Sequence, residues 1–570
     1  MQRTRDENRA EFGRKKRRSD NGEQMKIRNE KRKLKETPLI SGNIRFYVNS
    51  EEEKTGVYNL VDSAKLLLNE KIANVSNFQI LHEVFGFYLR HNNARQDNLG
   101  NVHVDACNFQ PYLVSKTKEN CNENMFIMSE SSLKNIVAGI TDHDTKCREK
   151  LVVQNFDYFG HVCKVNLQCC ADHTLRVDSS PRLPGGKFVS NLRMAHGLFS
   201  SGLRYAQYER FVNSARIGVL PESAIYELQD LYCDVTEEIA KESTRDALNE
   251  EVAETMLSSQ FPEEYKGIAI ITDARHAWRK NAKNSDIISI GCRTNKVNGY
   301  VVVSKSDEVC SQKHELFGVK KLYEHFTSND VNIDVHGHDR NSSVNSYLKQ
   351  DHGHVSNAND TWHATKGVAK ELKKICSGPQ YKHGSSWHGE LSDKAGAIKT
   401  HCYYAIKNCQ GSAEKLRENL DNIIRHYQNF HSNCSPESRC KTDKNYVPSK
   451  TIITNKIALK LLEEAIHRLQ IYKTPEDYTQ CIDTHYVESF NNSCLIYHDK
   501  RIVFSDKEYK RRTAMSILDW NENINRGYTS VTFTEDAMNP RRQSGRKNLK
   551  PKTRSFCHAI WNKILDNIYT

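Results

Sequence analysis

An α/β protein organised around one mixed sheet is the fold class that these 570 residues predict. Three observations carry that expectation. Between residues 267 and 372, apolar runs and amphipathic segments follow one another in the order strand, strand, strand, helix, strand, helix, strand, helix. Acidic residues stand where two of these strands should end, Asp273 after the run 267–272 and Asp339 after Val331-Asn-Ile333 and the polar string Asp334-Val-His336-Gly-His338. A polar, helical stretch over residues 377–480 then separates this succession from a last helix start at Tyr486-Val-Glu488.

Such a succession matches a ribonuclease H-like core, a mixed sheet flanked by helices. It occupies residues 263–376 and returns at 481–535, with an inserted all-α domain at 377–480 and a mostly helical N-terminal region before it. The strands 267–273, 286–291 and 300–303 should form an antiparallel meander, with Asn295 and Asn298-Gly299 as turn chemistry. Residues 191–262 read as helical, with Pro221 as a first-turn residue and Ile225, Leu228, Leu231, Val235 and Ile239 as a packing stripe. Strong helical runs at 413–427 and 457–472 fill the insertion.

Charge marks the ends. Residues 1–44 read as a basic disordered arm, since residues 1–36 hold 14 Lys plus Arg against 7 Asp plus Glu, a surplus of 7 out of the chain's formal +12. Arg14, Lys15, Lys16, Arg17 and Arg18 suit nuclear import and phosphate contacts. A second acid-free segment, Arg541, Arg542, Arg546, Lys547, Lys550, Lys552 and Arg554, makes residues 536–570 read as a basic tail with the same phosphate-binding chemistry. No run approaches the ~20 apolar residues of a membrane span, and the first residues lack a signal-peptide core, so the 17 cysteines are expected as thiols or metal ligands. Residues 45–190 have no readable role apart from zinc-ligand types at Cys163, Cys169 or Cys170, and His173, with no fourth ligand at a standard spacing. His426, His431, Cys434 and Cys440 form a second such group inside the insertion.

Cutting a phosphodiester and joining a 3′ hydroxyl to another strand are both in-line displacements at phosphorus. Two divalent ions, about 4 Å apart, neutralise the charge on the attacking and leaving oxygens, and carboxylates are the ligands that magnesium selects. Asp273, Asp339 and Glu488 occupy places from which three such groups can converge, two at the ends of adjacent strands and one on a late helix.

Asp273 after a strand, Asp339-Arg-Asn-Ser-Ser-Val, Asp360-Thr-Trp-His363-Ala-Thr-Lys366, and Glu488-Ser-Phe-Asn-Asn followed by Lys500-Arg-Ile-Val-Phe504 together resemble the eukaryotic DDE transposases, near the Kolobok and Mutator groups. The resemblance covers residues 160–535 and implies a cut-and-paste DNA transposase that uses Mg²⁺ or Mn²⁺. It implies a nuclear enzyme acting as a homo-oligomer on double-stranded DNA, both transposon ends and target, with no small-molecule substrate. It also places Asp360 and His363 beside the acids. No Cys/His array of the THAP type, frequent in related sequences, stands near the N-terminus. Simpler roles compete: Asp273 as a turn former, Asp334 as the second acid, Asp360 as a helix N-cap, Trp362 as core and Glu488 as a first-turn surface acid. Asp360 is also a third candidate for the second acid. Two other functions remain open at this level, a transposase-derived DNA-binding scaffold without catalysis and a ribonuclease H-like exonuclease, which would want a fourth acid, for which Asp360 is the obvious candidate.

Overall fold

Alternation of apolar side chains along two strands decides the central architecture. The computed structural model describes two short strand pairs before residue 112 and residues 126–141, 143, 147, 149–258, 265–278, 280–536 and 539–570. The chain divides into Met1–Glu123 and Asn124–Thr570. In the first unit, Phe87–Tyr88 pairs with Gln110–Pro111 and Ala94–Gln96 with Val102–Val104. The basic arm containing Arg14, Lys15, Lys16, Arg17 and Arg18 lies outside the described residues.

In the second unit, α1 (Glu130–Thr141) precedes β1 (Val152–Phe159), β2 (Val162–Gln168) and β3 (Thr174–Asp178). Helices α2 (Val189–Ser200), α3 (Tyr205–Ala215) and α4 (Glu222–Ser258) follow. Then come β4 (Ile268–His276), β5 (Asn284–Gly291), β6 (Val297–Ser304), α5 (His314–Ser328), β7 (Ile333–His338), α6 (Ser342–Asp351), β8 (Ser356–Asn359) and α7 (Thr361–Cys376). Residues 377–480 carry α8 (Ala395–Lys407), α9 (Ala413–Tyr427), α10 (Arg439–Thr442), α11 (Lys456–His467) and α12 (Gln470–Lys473). The chain ends with α13 (His485–Ser493), α14 (Asp506–Asn523), β9 (Tyr528–Asp536), β10 (Asn539–Leu549) and α15 (Ser555–Tyr569).

The five-stranded sheet has the order β6-β5-β4-β7-β8. Its first three strands are antiparallel, whereas β4, β7 and β8 run parallel. Side chains alternate between faces along a strand, and here the alternation sorts two cores. Ile268, Ile270 and Ile287 pack with Val319, Leu322 and Phe326 of α5 and with Val344 and Leu348 of α6. Ile271, Ile288 and Ile290 pack on the other face with Val487 and Phe490 of α13 and Ile517 of α14. Every residue of β5 is buried, as a strand covered on both faces requires. Cutting Ile271 or Ile288 to Ala would cost about 2–5 kcal/mol.

Helix α4 links the sheet to a helical layer. Ile225 and Val235 near its start are buried with Leu192, Tyr208, Met515 and Trp561, and Leu228, Leu231 and Ile239 pack against them. At its far end the buried carboxylate of Glu251 accepts hydrogen bonds from the backbone N–H groups of Arg293 (2.9 Å) and Thr294 (2.8 Å), pinning the β5–β6 turn. Residues 377–480 share a separate core with α7, in which α7, α8, α9 and α11 pack around Leu372, Ile398, Leu420, Ile423 and Leu462. Among the described residues no helix is long and apolar enough to cross a membrane.

Several expectations change. The mostly helical N-terminal region contains a three-stranded antiparallel sheet, β1-β2-β3, because Val165, Leu167 and Val177 form an alternating buried face. Asn298 and Gly299 are not in a turn but sit at a bulge inside β6, and the bare Gly299 Cα lets Leu322 and Phe326 of α5 press close. Residues 536–570 are not a loose tail. Arg541, Arg542, Arg546 and Lys547 lie in β10 of a hairpin with β9, and α15 buries Phe556, Ile560, Trp561 and Ile564 against α2, α4 and α14. The charges of β10 mask the strand in the sequence, and its described residues 545–549 are all exposed.

Candidate active site

Register places the two aspartates. Parallel pairing of β4 with β7 runs to Ile271 opposite Gly337, and two residues further along each strand stand Asp273 and Asp339. With a side-chain period of two, both acids point to the face of Ile271, the one covered by α13. Gly337 permits that cover. A Cβ there would sit 2.6 Å from Ile482 Cγ2 and 3.0 Å from Ile271 Cγ2, so a larger residue would push away the segment leading into α13. Asp273 lies inside β4, which continues to His276, and not after its end as the sequence suggests.

Asp339 is exposed just beyond β7 and Asp360 is buried just beyond β8. The Asp360 carboxylate caps α7 by accepting the Trp362 N–H at 2.7 Å, and its other oxygen contacts His363 Nδ1. The Thr484 hydroxyl lies 2.9 Å from Asp339 Oδ1 and 2.8 Å from Asp360 Oδ2, and so ties the start of α13 to both strand ends. His363 stands among the acids, with Nδ1 3.5 Å from Asp339 Oδ1 and Nε2 3.6 Å from Glu488 Oε1. Burial opposes its charge, but the Asp360 hydrogen bond and the charges of Asp339, Asp360 and Glu488 outweigh this and raise its pKa above the usual histidine value. One donor atom from each of Asp339, Asp360, His363 and Glu488 lies within 4.8 Å of the others.

Asp273 falls outside that group of four. It lines a neighbouring cavity of about 990 Å³ together with Glu488 and Asn491, and basic Lys280, Lys500 and Arg501 rim the same space. Its oxygens accept from the Ala274 N–H at 2.8 Å and from Asn491 Nδ2 at 2.7 Å. Asn491 follows Glu488 by three positions on α13, which puts both side chains on one helix face. Burial, and then the charges of Asp339 and Glu315, push the Asp273 carboxyl up to about 7 against those two hydrogen bonds. Glu315, in the first turn of α5, is likewise raised by burial, partly offset by the hydrogen bond from Asn341 Nδ2 at 2.7 Å, with the Asp339 charge adding to the rise. On the far side, Asp339, Asp360 and His363 line a second cavity of about 470 Å³ with Arg340, Lys370 and Arg468.

A buried ion pair fixes the floor. Arg275 meets Asp286 at 2.9 Å, and Tyr509 and Thr513 of α14 donate to the same carboxylate at 2.8 and 2.7 Å. Arg275 also hydrogen-bonds the His498 carbonyl, which anchors the loop bearing Lys500 and Arg501.

Asp334 sits at a register shift between β4 and β7, inside the strand and four residues before its end at His338. Trp362 is not core: it is 44% exposed, with Lys366 Nζ 3.2 Å from its ring centroid. Thr484 and Glu315 go unnoticed in the sequence, and Asn491 stands there only as part of Glu488-Ser-Phe-Asn-Asn, with no role of its own. The i, i+3 spacing from Glu488 could have flagged Asn491, whereas nothing in the sequence marks Glu315.

The Cys/His residues resolve differently from expectation at the N-terminal group. Cys163 is buried with Val165, Leu167 and Val177, where strand alternation puts it, and Cys170 is exposed with its thiol 3.0 Å from Glu149. Cys169 and His173 gather instead with His143 and Cys147, while His426, His431, Cys434 and Cys440 lie together. Arg546 and Lys547 are exposed on β10.

No curated protein matches the chain. Residues 130–321, a third of its length, from α1 through the β4-β5-β6 meander and Asp273 into α5, match the family model of the Mutator-like transposase.

Proposed function

We propose that this chain is a DNA transposase of the cut-and-paste kind, with a ribonuclease H-like core interrupted by the helical residues 377–480, and that Asp273, Asp339 and Glu488 are its catalytic carboxylates. The observation that carries the reading is the shared register of Asp273 and Asp339, each two residues beyond the last pair of the β4–β7 ladder, with Glu488 lining the cavity of the first and reaching the histidine beside the second. The strand order, three antiparallel strands followed by two parallel ones, supports the same core. The similarity of residues 130–321 to Mutator-like transposases supports the reaction class.

The donor set fits hard divalent cations. Asp339 and Glu488 are part-exposed carboxylates beside open space, and Asp273 holds its charge poorly without a positive partner. Mg²⁺ or Mn²⁺ bound there would supply charge neutralisation at the attacking and leaving oxygens of a phosphodiester. The protein's own groups do the rest. Asn491 and the Ala274 N–H fix the orientation of the Asp273 carboxylate. Thr484 and Asp360 fix Asp339 and His363. Lys280, Lys500 and Arg501 on one side, and Arg340, Lys370 and Arg468 on the other, offer phosphate contacts along a strand laid across the acids. A fourth acid of the kind an exonuclease uses could come from Asp360, whose donor atom lies within 4.8 Å of those of Asp339, His363 and Glu488, or from Glu315, whose charge acts on Asp273.

Double-stranded DNA carrying the element's ends is thus the proposed substrate, and the nucleus the proposed site of action. Replacing Asp273 or Glu488 by Ala should leave duplex binding within about twofold while Mg²⁺-dependent cleavage of those ends disappears, because the loss falls on transition-state charge. Wild-type cleavage by either variant refutes the assignment.

A further inference from the structure

Two Cys/His quartets stand outside the acidic edge, and their geometry is that of closed metal sites. In the first, Cys147 Sγ lies 3.8 Å from Cys169 Sγ, and Cys169 Sγ lies 3.5 Å from His173 Nδ1. In the second, Cys434 Sγ lies 3.4 Å from His426 Nδ1 and 3.7 Å from His431 Nδ1. A tetrahedral ion with bonds of about 2.3 Å to sulfur and about 2.0 Å to nitrogen separates its ligand atoms by about 3.3–3.8 Å. Both quartets match that spacing, and in each one all four donor atoms lie within 4.8 Å of one another.

Each quartet has an independent mark of a missing partner or a missing core. Both ring nitrogens of His143 are buried without a hydrogen bond, a cost of about 1–3 kcal/mol each unless something accepts their lone pair or proton. Cys169 and His173 flank a tight β2–β3 turn, closed by the Cys169 N–H to the His173 carbonyl at 3.1 Å and by the Asp172 N–H to the Cys169 carbonyl at 3.0 Å. In the second quartet no residue from 428 to 452 is buried, so that stretch has no apolar core of its own to hold it. His431 is oriented from behind, its Nε2 2.9 Å from Asn429 Oδ1, which turns Nδ1 toward the sulfurs. Asn422 Nδ2 donates to Cys434 Sγ at 3.6 Å, and Ser438 Oγ lies 3.2 Å from Cys440 Sγ.

We propose that the chain holds two structural zinc ions, one bound by His143, Cys147, Cys169 and His173 and the other by His426, His431, Cys434 and Cys440. Two thiolates and two imidazoles, with no ligand position left open to substrate, select zinc over magnesium and assign the ions to folding, not to chemistry. The first ion staples the segment after α1 to the β2–β3 hairpin. The second ties the end of α9 to α10 across the coreless stretch. Neither depends on the transposase reading.

The test is the zinc content of the full chain, purified from zinc-supplemented cells and dialysed against a weak chelator. Two zinc ions per chain are expected. A C147S/C169S variant and a C434S/C440S variant should each retain one, and D339A/E488A should retain two, which separates these sites from the acidic edge. Because the cysteine variants can misfold, the wild-type chain is also reloaded with Co²⁺, whose thiolate charge-transfer and ligand-field bands should titrate to two tetrahedral, two-thiolate sites. Zinc-free wild-type protein, cobalt spectra lacking thiolate bands, or disulfides joining 147 to 169 and 434 to 440 would overturn the proposal.

Discussion

Asp339 and Asp360 stand one strand apart at the same level of the sheet, since His338 pairs with Asn359 in the parallel β7–β8 ladder, yet they meet different fates. Asp360 runs directly into α7 and spends its carboxylate on the helix N-terminus and on His363. Asp339 is relieved of that duty. Arg340 adopts a left-handed conformation with φ 57°, and Asn341 then caps α6 by accepting from the Ser343 N–H at 2.9 Å. One extra turn residue and a substitute cap leave the Asp339 carboxylate part-exposed and available. A strand end supplies the position for the proposed catalytic acid, and the start of the following helix decides whether such an acid is consumed by the fold.

The largest expected difference is between these two aspartates. Asp339→Ala should lower single-turnover DNA cleavage by about 10³-fold or more, with the melting temperature unchanged or raised, as befits loss of a transition-state interaction and relief of carboxylate repulsion. Asp360→Ala should do the reverse in emphasis: a loss of about 1 kcal/mol from the missing cap and a milder fall in cleavage through a loosened His363. Equal cleavage losses for both would erase the distinction.

Next in size is Asn491→Ala, which removes the side-chain hydrogen bond to Asp273. Loss of such an orienting contact typically costs about 10- to 100-fold in activity or metal affinity. The pH midpoint of cleavage should also move upward, since that bond favours the charged carboxylate. An unchanged pH profile would assign Asn491 to packing alone.

Asp273 makes the pH dependence itself predictable. Its folded-state pKa, about 7, lies above the ordinary 3.8, so in chelator its contribution to stability is fully present below about pH 4 and is lost as pH rises through 7. Wild-type protein in EDTA should therefore lose melting temperature across that window by more than Asp273→Asn does. Divalent cations compete with the same proton, so their affinity should climb up to about pH 7 and then level off. Parallel melting curves for wild type and Asp273→Asn would contradict this placement of the acid.

The smallest effect is expected at the rim. Lys500→Ala with Arg501→Ala should weaken binding to all duplexes alike and reduce the slope of log affinity against log salt by about 2, at about 0.9 per phosphate contact. A slope equal to wild type would remove these residues from the DNA path.

Much of this was legible because it follows from periodicity. The order of strands and helices from residue 267 to 372 and the polar helices to 480 can be read from apolar spacing, and that order is what singles out the proposed acids. What escaped was set by contacts without sequence signature. Asp273 lies within β4 because β5 keeps pairing with it as far as His276 opposite Ser285, which no local pattern announces. Glu315 and Thr484 enter through packing of α5 and of the segment before α13. His143 and Cys147 carry no ligand signal in the sequence because the residues they gather with lie across a hairpin at 169 and 173, and Cys163, a ligand type by sequence, belongs to a core through the alternation it shares with Val165 and Leu167. Arg546 and Lys547 are exposed on β10, and the charge of that segment masks its strand character in the sequence.

Backbone cutting by bound iron tests most directly whether the three acids, separated by 66 and 149 positions, hold a common metal. Fe²⁺ with ascorbate, in place of Mg²⁺, generates radicals that cleave peptide bonds beside the ion. Simultaneous cuts are expected near residues 273, 339 and 488, suppressed by excess Mg²⁺ and absent from Asp339→Ala; cuts at none of the three, or cuts indifferent to Mg²⁺, would mean that the acids hold no common metal.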